Sequence, residues 1–89
     1  MSLNKNWDLE VRPKVYKKLK KFPTDDQKHI LEVIEMLPID PYFGDIEKME
    51  GQENSWRRRM GSYRIFYEVL VSRRNVIVFR IDRRTSKTY

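Results

Sequence analysis

The stretch Trp56–Leu70, WRRRMGSYRIFYEVL, constrains the fold more than any other part of the chain. It reads as two strands joined by a tight turn. Period-two alternation puts Trp56, Arg58 and Met60 on one face of the first strand, and Arg57 and Arg59 on the other. Gly61-Ser62 is a two-residue turn with glycine first, the kind that joins antiparallel strands. The return strand places Tyr63, Ile65, Tyr67 and Val69 on an apolar face, with Arg64, Phe66 and Glu68 opposite. If the register brings the two arginine-bearing faces together, three guanidinium groups share one sheet surface. Their planar donor forks suit a phosphate chain. Solvated strands also carry arginines, so the rest of the chain has to decide between these readings.

Charge is unevenly divided. Residues 1–50 hold nine Lys/Arg and ten Asp/Glu, whereas residues 51–89 hold ten Lys/Arg and three Asp/Glu, so the C-terminal part is the basic one. Its cations are mostly arginine, which favours phosphate recognition over simple solubility. With 89 residues, one small domain spanning 1–89 is expected. The absence of cysteine removes disulfides and thiolate metal sites. No apolar run approaches the ~20 residues of a membrane span, and nothing resembles a secretory signal. A cytoplasmic protein without membrane contact is expected.

Trp7–Val11 alternates apolar with acidic residues and reads as a short strand. Pro13 suits a helix start. Val15, Tyr16, Leu19 and Phe22 then form a stripe surrounded by Lys14, Lys17, Lys18, Lys20 and Lys21. Those lysines read as the solvated face of an amphipathic helix, with a nucleic-acid contact as the alternative. Phe22-Pro23 ends this helix. Thr24 to Gln27 has the pattern of a capping box, and a second helix runs to about Leu37, where Pro38 stops it. His29, the single histidine, has polar neighbours and no nearby nucleophile in sequence, so a surface role is expected. Residues 39–54 read as a loop returning the chain to the sheet, with Glu47 and Glu50 as exposed acids or carboxylate bases near the basic face.

After a polar turn at residues 72–75, Val76–Asp82 forms a last strand. Alternation points Ile77, Phe79 and Ile81 one way, and Val76, Val78, Arg80 and Asp82 the other. The predicted fold is α+β: an N-terminal strand and a helical hairpin packed on one face of a small, mainly antiparallel sheet, in the order β-α-α-β-β-β. The other sheet face carries Arg57, Arg59, Arg64 and Arg80, with Phe66 and Val78 among them. Apolar side chains on a basic open face suggest a partner that covers it.

These residues resemble the RelE/ParE toxin superfamily of type II toxin–antitoxin pairs. The resemblance is carried by the element order, the lead-in Lys48-Met49-Glu50-Gly51, the hairpin R-x-R-M-G-S-Y-R-I-F-Y-E-V and the closing I-D-R-R-T-S-K-T-Y. It implies a toxin of the RelE-like branch that cuts mRNA in the ribosomal A site, using a basic residue set and no cofactor. It also implies a small cognate antitoxin that covers the basic face. Residue by residue, Arg57 and Arg59 fall on basic positions before the turn, Arg64 on the arginine after it, Arg83 near the basic residue after the last strand, and Tyr89 on the C-terminal tyrosine. Arg80, Arg84 and Lys87 are the further RNA contacts expected.

The chemistry can be derived separately. Internal cleavage of RNA needs the 2′-hydroxyl deprotonated, charge on the phosphate stabilised, and the leaving oxygen protonated. Arg64 with Arg57 or Arg59 can clamp the phosphate, Tyr89 can orient the hydroxyl or stack on a base, and Arg83 can face the leaving oxygen. Arginine stays protonated across the working pH range and so is a poor general base. Arginine catalysis is therefore electrostatic, and Glu47 or Tyr89 would have to move the proton. The same resemblance also allows a ParE-like, non-enzymatic inhibitor of DNA gyrase, and a third reading is a binding-only ribosome or RNA module. Acidic clusters with ligand spacing are missing from the basic half, so no metal is expected.

Overall fold

The hairpin forms as its turn dictates. Strand β3 (Ser55–Met60) and strand β4 (Tyr63–Leu70) pair antiparallel from Met60↔Tyr63 back to Ser55↔Glu68. Gly61 takes a φ of +59°, a left-handed value that glycine adopts without a Cβ clash. The computed structural model of the protein describes residues 7–84.

The hairpin lies inside a sheet of five strands ordered β1-β5-β4-β3-β2. Strand β1 (Asp8–Val11) runs parallel to β5 (Asn75–Arg83) at one edge. Strand β2 (Ile46–Lys48) runs antiparallel to β3 at the other. Helix α1 (Pro13–Leu19) and helix α2 (Thr24–Met36) cover one face. Val15 and Leu19 of α1, Ile30 and Ile34 of α2, and Leu37 just beyond it are buried with Tyr63, Ile65, Tyr67 and Val69 of the central strand. The α+β architecture is therefore the expected one. At roughly 25 cal/mol per Å² of apolar surface removed from water, this shared core is the main stabilising term.

Three details depart from the sequence reading. First, Thr24 is the opening residue of α2 and not its cap. Pro23 holds the cap position, and the Gln27 side-chain amide donates to the Phe22 carbonyl oxygen at 2.8 Å. Gln27 does reach back, but to an acceptor. Second, residues 39–54 are not all loop, because Ile46–Lys48 pairs with Trp56–Arg58 as the outermost strand. The strand exists because β3 offers it a ladder, while its own sequence is too short and too charged to announce it.

Third, β5 does not keep a single alternation. Its register with β4 passes from Phe66↔Arg80 directly to Tyr67↔Val78, leaving Phe79 as an extra residue. This bulge shifts the phase of the strand. Val76, Val78 and Ile81 lie in the core, whereas Ile77 is paired with Glu68 and Glu10 on the opposite face. The expected core places of Ile77 and Phe79 thus belong to Val76 and Val78. Val78 does not accompany the arginines, and Phe79 sits near Phe66 with ring centroids 6.4 Å apart. No described helix is long and apolar enough to cross a membrane.

Candidate nucleic-acid interface

The face without helices is basic at its hairpin end. Arg59 pairs across to Arg64, and Arg64 to Asp82; in the next row Glu47, Arg57, Phe66 and Arg80 stand side by side. The sheet thus gathers Arg57, Arg59, Arg64 and Arg80 on one surface. Phe66 lies beneath it, 5 % exposed, with the Arg80 guanidinium 4.9 Å above its ring. Stacking of this kind holds a guanidinium flat while leaving its edges free to donate.

Each arginine is differently engaged. Arg57 forms an ion pair with Glu47, and its buried Nε has no hydrogen-bond partner. Arg59 Nε lies 3.4 Å from Asp45 Oδ2. Arg80 holds Asp82 through two contacts, Nε at 3.1 Å and Nη2 at 2.7 Å, and Lys18 of α1 reaches the same carboxylate at 3.3 Å. Partial burial pushes the Asp82 pKa up, but the hydrogen bonds and charges of Arg80 and Lys18 outweigh it, and the carboxyl lies below its ordinary value. The stabilisation from this pair is present at neutral pH and is lost as pH falls through that lowered value. Arg64 is the exception: among the described residues it has no acidic partner within 4.0 Å.

Arg83 is not brought to this surface. It pairs with Tyr63, whose ring belongs to the helix-covered side, and its guanidinium lies 5.6 Å from that ring. Arg84 sits beside the hairpin turn, its backbone N–H donating to the Ser62 carbonyl oxygen at 2.6 Å. Lys87 and Tyr89 lie outside the described residues. His29 is exposed on α2, as expected.

The sequence reading left Arg58 unassigned. It turns under the loop before β2, its guanidinium 4.3 Å from the Phe43 ring centre and Nη1 donating to the Phe43 carbonyl oxygen at 3.2 Å. Gly44 allows this approach: a Cβ there would lie 2.4 Å from the Arg58 guanidinium carbon, and its φ is +82°. The apolar alternation Trp56-x-Arg58-x-Met60 was a signal that this arginine is structural. Gly44→Ala is expected to cost about 1–3 kcal/mol, from left-handed strain and the displaced guanidinium. Chemical denaturation beside wild type measures it.

What the surface can do is bind and stabilise anionic oxygens. Three of its arginines already hold carboxylates, and guanidinium groups bind phosphate through the same fork. Among the described residues no group of three or more His, Cys, Asp or Glu side chains is placed to hold a metal ion.

Known proteins resemble this chain in sequence and in fold. Residues 9–87 match the family described as ParE toxin of type II toxin–antitoxin system, parDE. The RelE1 protein of Methanocaldococcus jannaschii is 35 % identical over 81 residues, covering 88 % of this chain and 90 % of that protein. The RelE–RelB complex from Pyrococcus horikoshii OT3 has a similar toxin fold, with a TM-score of 0.79 at 23 % identity over 92 % of this chain and 99 % of that one. The RelB–RelE complex from Methanococcus jannaschii gives a TM-score of 0.70 at 28 % identity, covering 83 % and 88 % of the two chains. By the extent of the family match and the identity to RelE1, the chain belongs to the RelE/ParE superfamily of type II toxin–antitoxin toxins.

Proposed function

We propose that this toxin is an endoribonuclease that cuts mRNA in the ribosomal A site, by attack of a 2′-hydroxyl on the adjacent phosphodiester. The observation that carries this reading is the gathering of Arg57, Arg59, Arg64 and Arg80 on one open sheet face, with Arg64 lacking an acidic partner among the described residues. In the attack, negative charge accumulates on the phosphate oxygens. Preorganised guanidinium donors stabilise that charge more than the ground state, which is what lowers a barrier. Arg64 and Arg59, directly opposite each other, form the clamp; Arg57 and Arg80 extend it along the backbone. Glu47, beside Arg57 on the same face, is the carboxylate we assign to take the 2′-hydroxyl proton once it leaves that guanidinium. Tyr89 orients the hydroxyl or stacks on a base, Arg84 serves the leaving side from the hairpin end, and Lys87 adds a backbone contact. The reading invokes no metal ion.

The partner that restrains this activity is a cognate antitoxin laid over the same basic face. Two similar structures are complexes named RelE–RelB or RelB–RelE, which supports a protein partner of that kind. A second reading, gyrase inhibition without chemistry, is favoured by the family description itself, which names ParE. The two separate cleanly. Induction of the chain without antitoxin, followed by mapping of 5′ ends on several translated messages, is expected to reveal new ends inside reading frames. Growth arrest with intact messages would instead support gyrase inhibition or binding alone, and a supercoiling assay on purified gyrase divides those two.

A further inference from the structure

The three acids that meet the arginines of the open face fall into two kinds. Asp82 is held by three contacts from Arg80 and Lys18, and its side chain is only 24 % exposed. Asp45 and Glu47 each meet one arginine, and each side chain is 63 % exposed. Both come from one short segment, in and just before the edge strand β2, and each contact is to an arginine assigned above to phosphate. An exposed single-contact ion pair is worth little and exchanges easily. A carboxylate and a phosphate compete for the same guanidinium fork.

We propose that Asp45 and Glu47 are displaceable stand-ins for phosphate, holding Arg59 and Arg57 in place in the free protein and yielding them when a phosphate chain arrives. This inference rests on the phosphate-binding reading of the face and adds to it two residues that set its affinity. Asp82 has a different part: it fixes Arg80 over Phe66 and stays in place on binding. The arrangement gives each of the two guanidinium groups a carboxylate in the free protein, with Arg59 the more exposed of the two. It also lowers affinity for polyanions in general, since each new phosphate contact must first release a carboxylate. A binding surface restrained in this way favours ligands that engage Arg64 together with both gated arginines over those that touch one.

The test compares wild type with the double variant D45N/E47Q and with the control E32Q/E35Q, which makes the same net charge change with two acids of α2. Two probes are used: inorganic tripolyphosphate by calorimetry, and a ten-residue oligouridylate by fluorescence anisotropy at several salt concentrations. The double variant is expected to bind tripolyphosphate about 3–10-fold more tightly than the control, the range two exposed ion pairs allow. For the oligonucleotide, the variant should also bind more tightly than the control, with a log-affinity against log-salt slope close to that of wild type, because the same phosphates are contacted in both complexes. Equal affinities for tripolyphosphate in variant and control, or weaker binding by the variant, would overturn the inference and make the acids plain supports. If the variant gains on tripolyphosphate but neither protein binds RNA, the gating stands and the RNA reading falls. Near-equal melting temperatures for the three proteins establish that the comparison is between folded proteins.

Discussion

Arg64→Ala is expected to lower message cleavage by about 10²–10³-fold, the usual effect of removing one donor aimed at a developing oxyanion. Its expected effect on stability is nil or slightly favourable. Arg64 faces Arg59 directly across the β3–β4 ladder, and like charges in that relation destabilise a sheet. No acid within 4.0 Å relieves it among the described residues. On its other side Arg64 is opposite Asp82, but that carboxylate is already held by Arg80 and Lys18, so the Arg64 donors are left for a ligand. Arg59→Ala should cost less, because Asp45 already takes part of that guanidinium's donor capacity. Arg64→Lys should recover only part of the activity, since an ammonium supplies the charge without the fork. The measurement is 5′-end mapping with quantified cleavage, beside thermal melts of each variant. A wild-type cleavage pattern in Arg64→Ala would remove this residue from the chemistry.

The arginine face was legible in the sequence because a two-residue turn fixes a register. Once Gly61-Ser62 is read as the turn, Arg59 must oppose Arg64 and Arg57 must oppose Phe66, and the ladder has those pairs. The helices were legible for a similar reason, since their apolar stripes repeat at three and four residues. The bulge was not. Val76-Ile77-Val78-Phe79 is an unbroken apolar run with no alternation to read, and only packing against β4 and β1 decides which members turn inward. Beyond the bulge the pattern Arg80-Ile81-Asp82 resumes, which is why alternation assigns Arg80 to the face it occupies and Phe79 to the wrong one. The acids were half visible. Glu47 reads from sequence as a carboxylate near the basic strand, but its partner depends on the pairing of a three-residue edge strand that sequence pattern does not disclose. Asp45 carried no signal at all. Arg80 and Asp82 are two apart on one strand face and could have been paired from sequence alone.

Tyr67 governs the stability of the same surface from below, and Tyr67→Ala is expected to cost about 3–5 kcal/mol. The side chain is completely buried beneath the central strand, and the residue is next to Phe66 at the bulge. A chain of 89 residues has a total stability of about 4–13 kcal/mol, so a loss of that size leaves a large unfolded fraction at 37 °C. Tyr67→Phe separates packing from polarity. The hydroxyl donates to the Pro41 carbonyl oxygen at 2.6 Å, tying down the loop that leads to Asp45. Losing it leaves a carbonyl in a buried setting without its donor, at a cost of about 1–3 kcal/mol. The pH dependence supplies an independent check. Burial pushes the Tyr67 pKa up to about 12, with the Arg58 charge opposing the shift. A phenol raised in the folded state favours folding while it stays protonated. Its contribution is complete below the unfolded value of about 10 and is lost as pH rises from there toward about 12. Urea melts between neutral pH and pH 12 should therefore show wild-type stability falling steeply above pH 10. In Tyr67→Phe the fall should be shallower, the remainder coming partly from Tyr63, which burial and its hydrogen bond to Asp26 also raise. Identical alkaline slopes in the two proteins would mean that the Tyr67 hydroxyl is not held as described, and that Arg58 alone anchors the loop beside the arginine face.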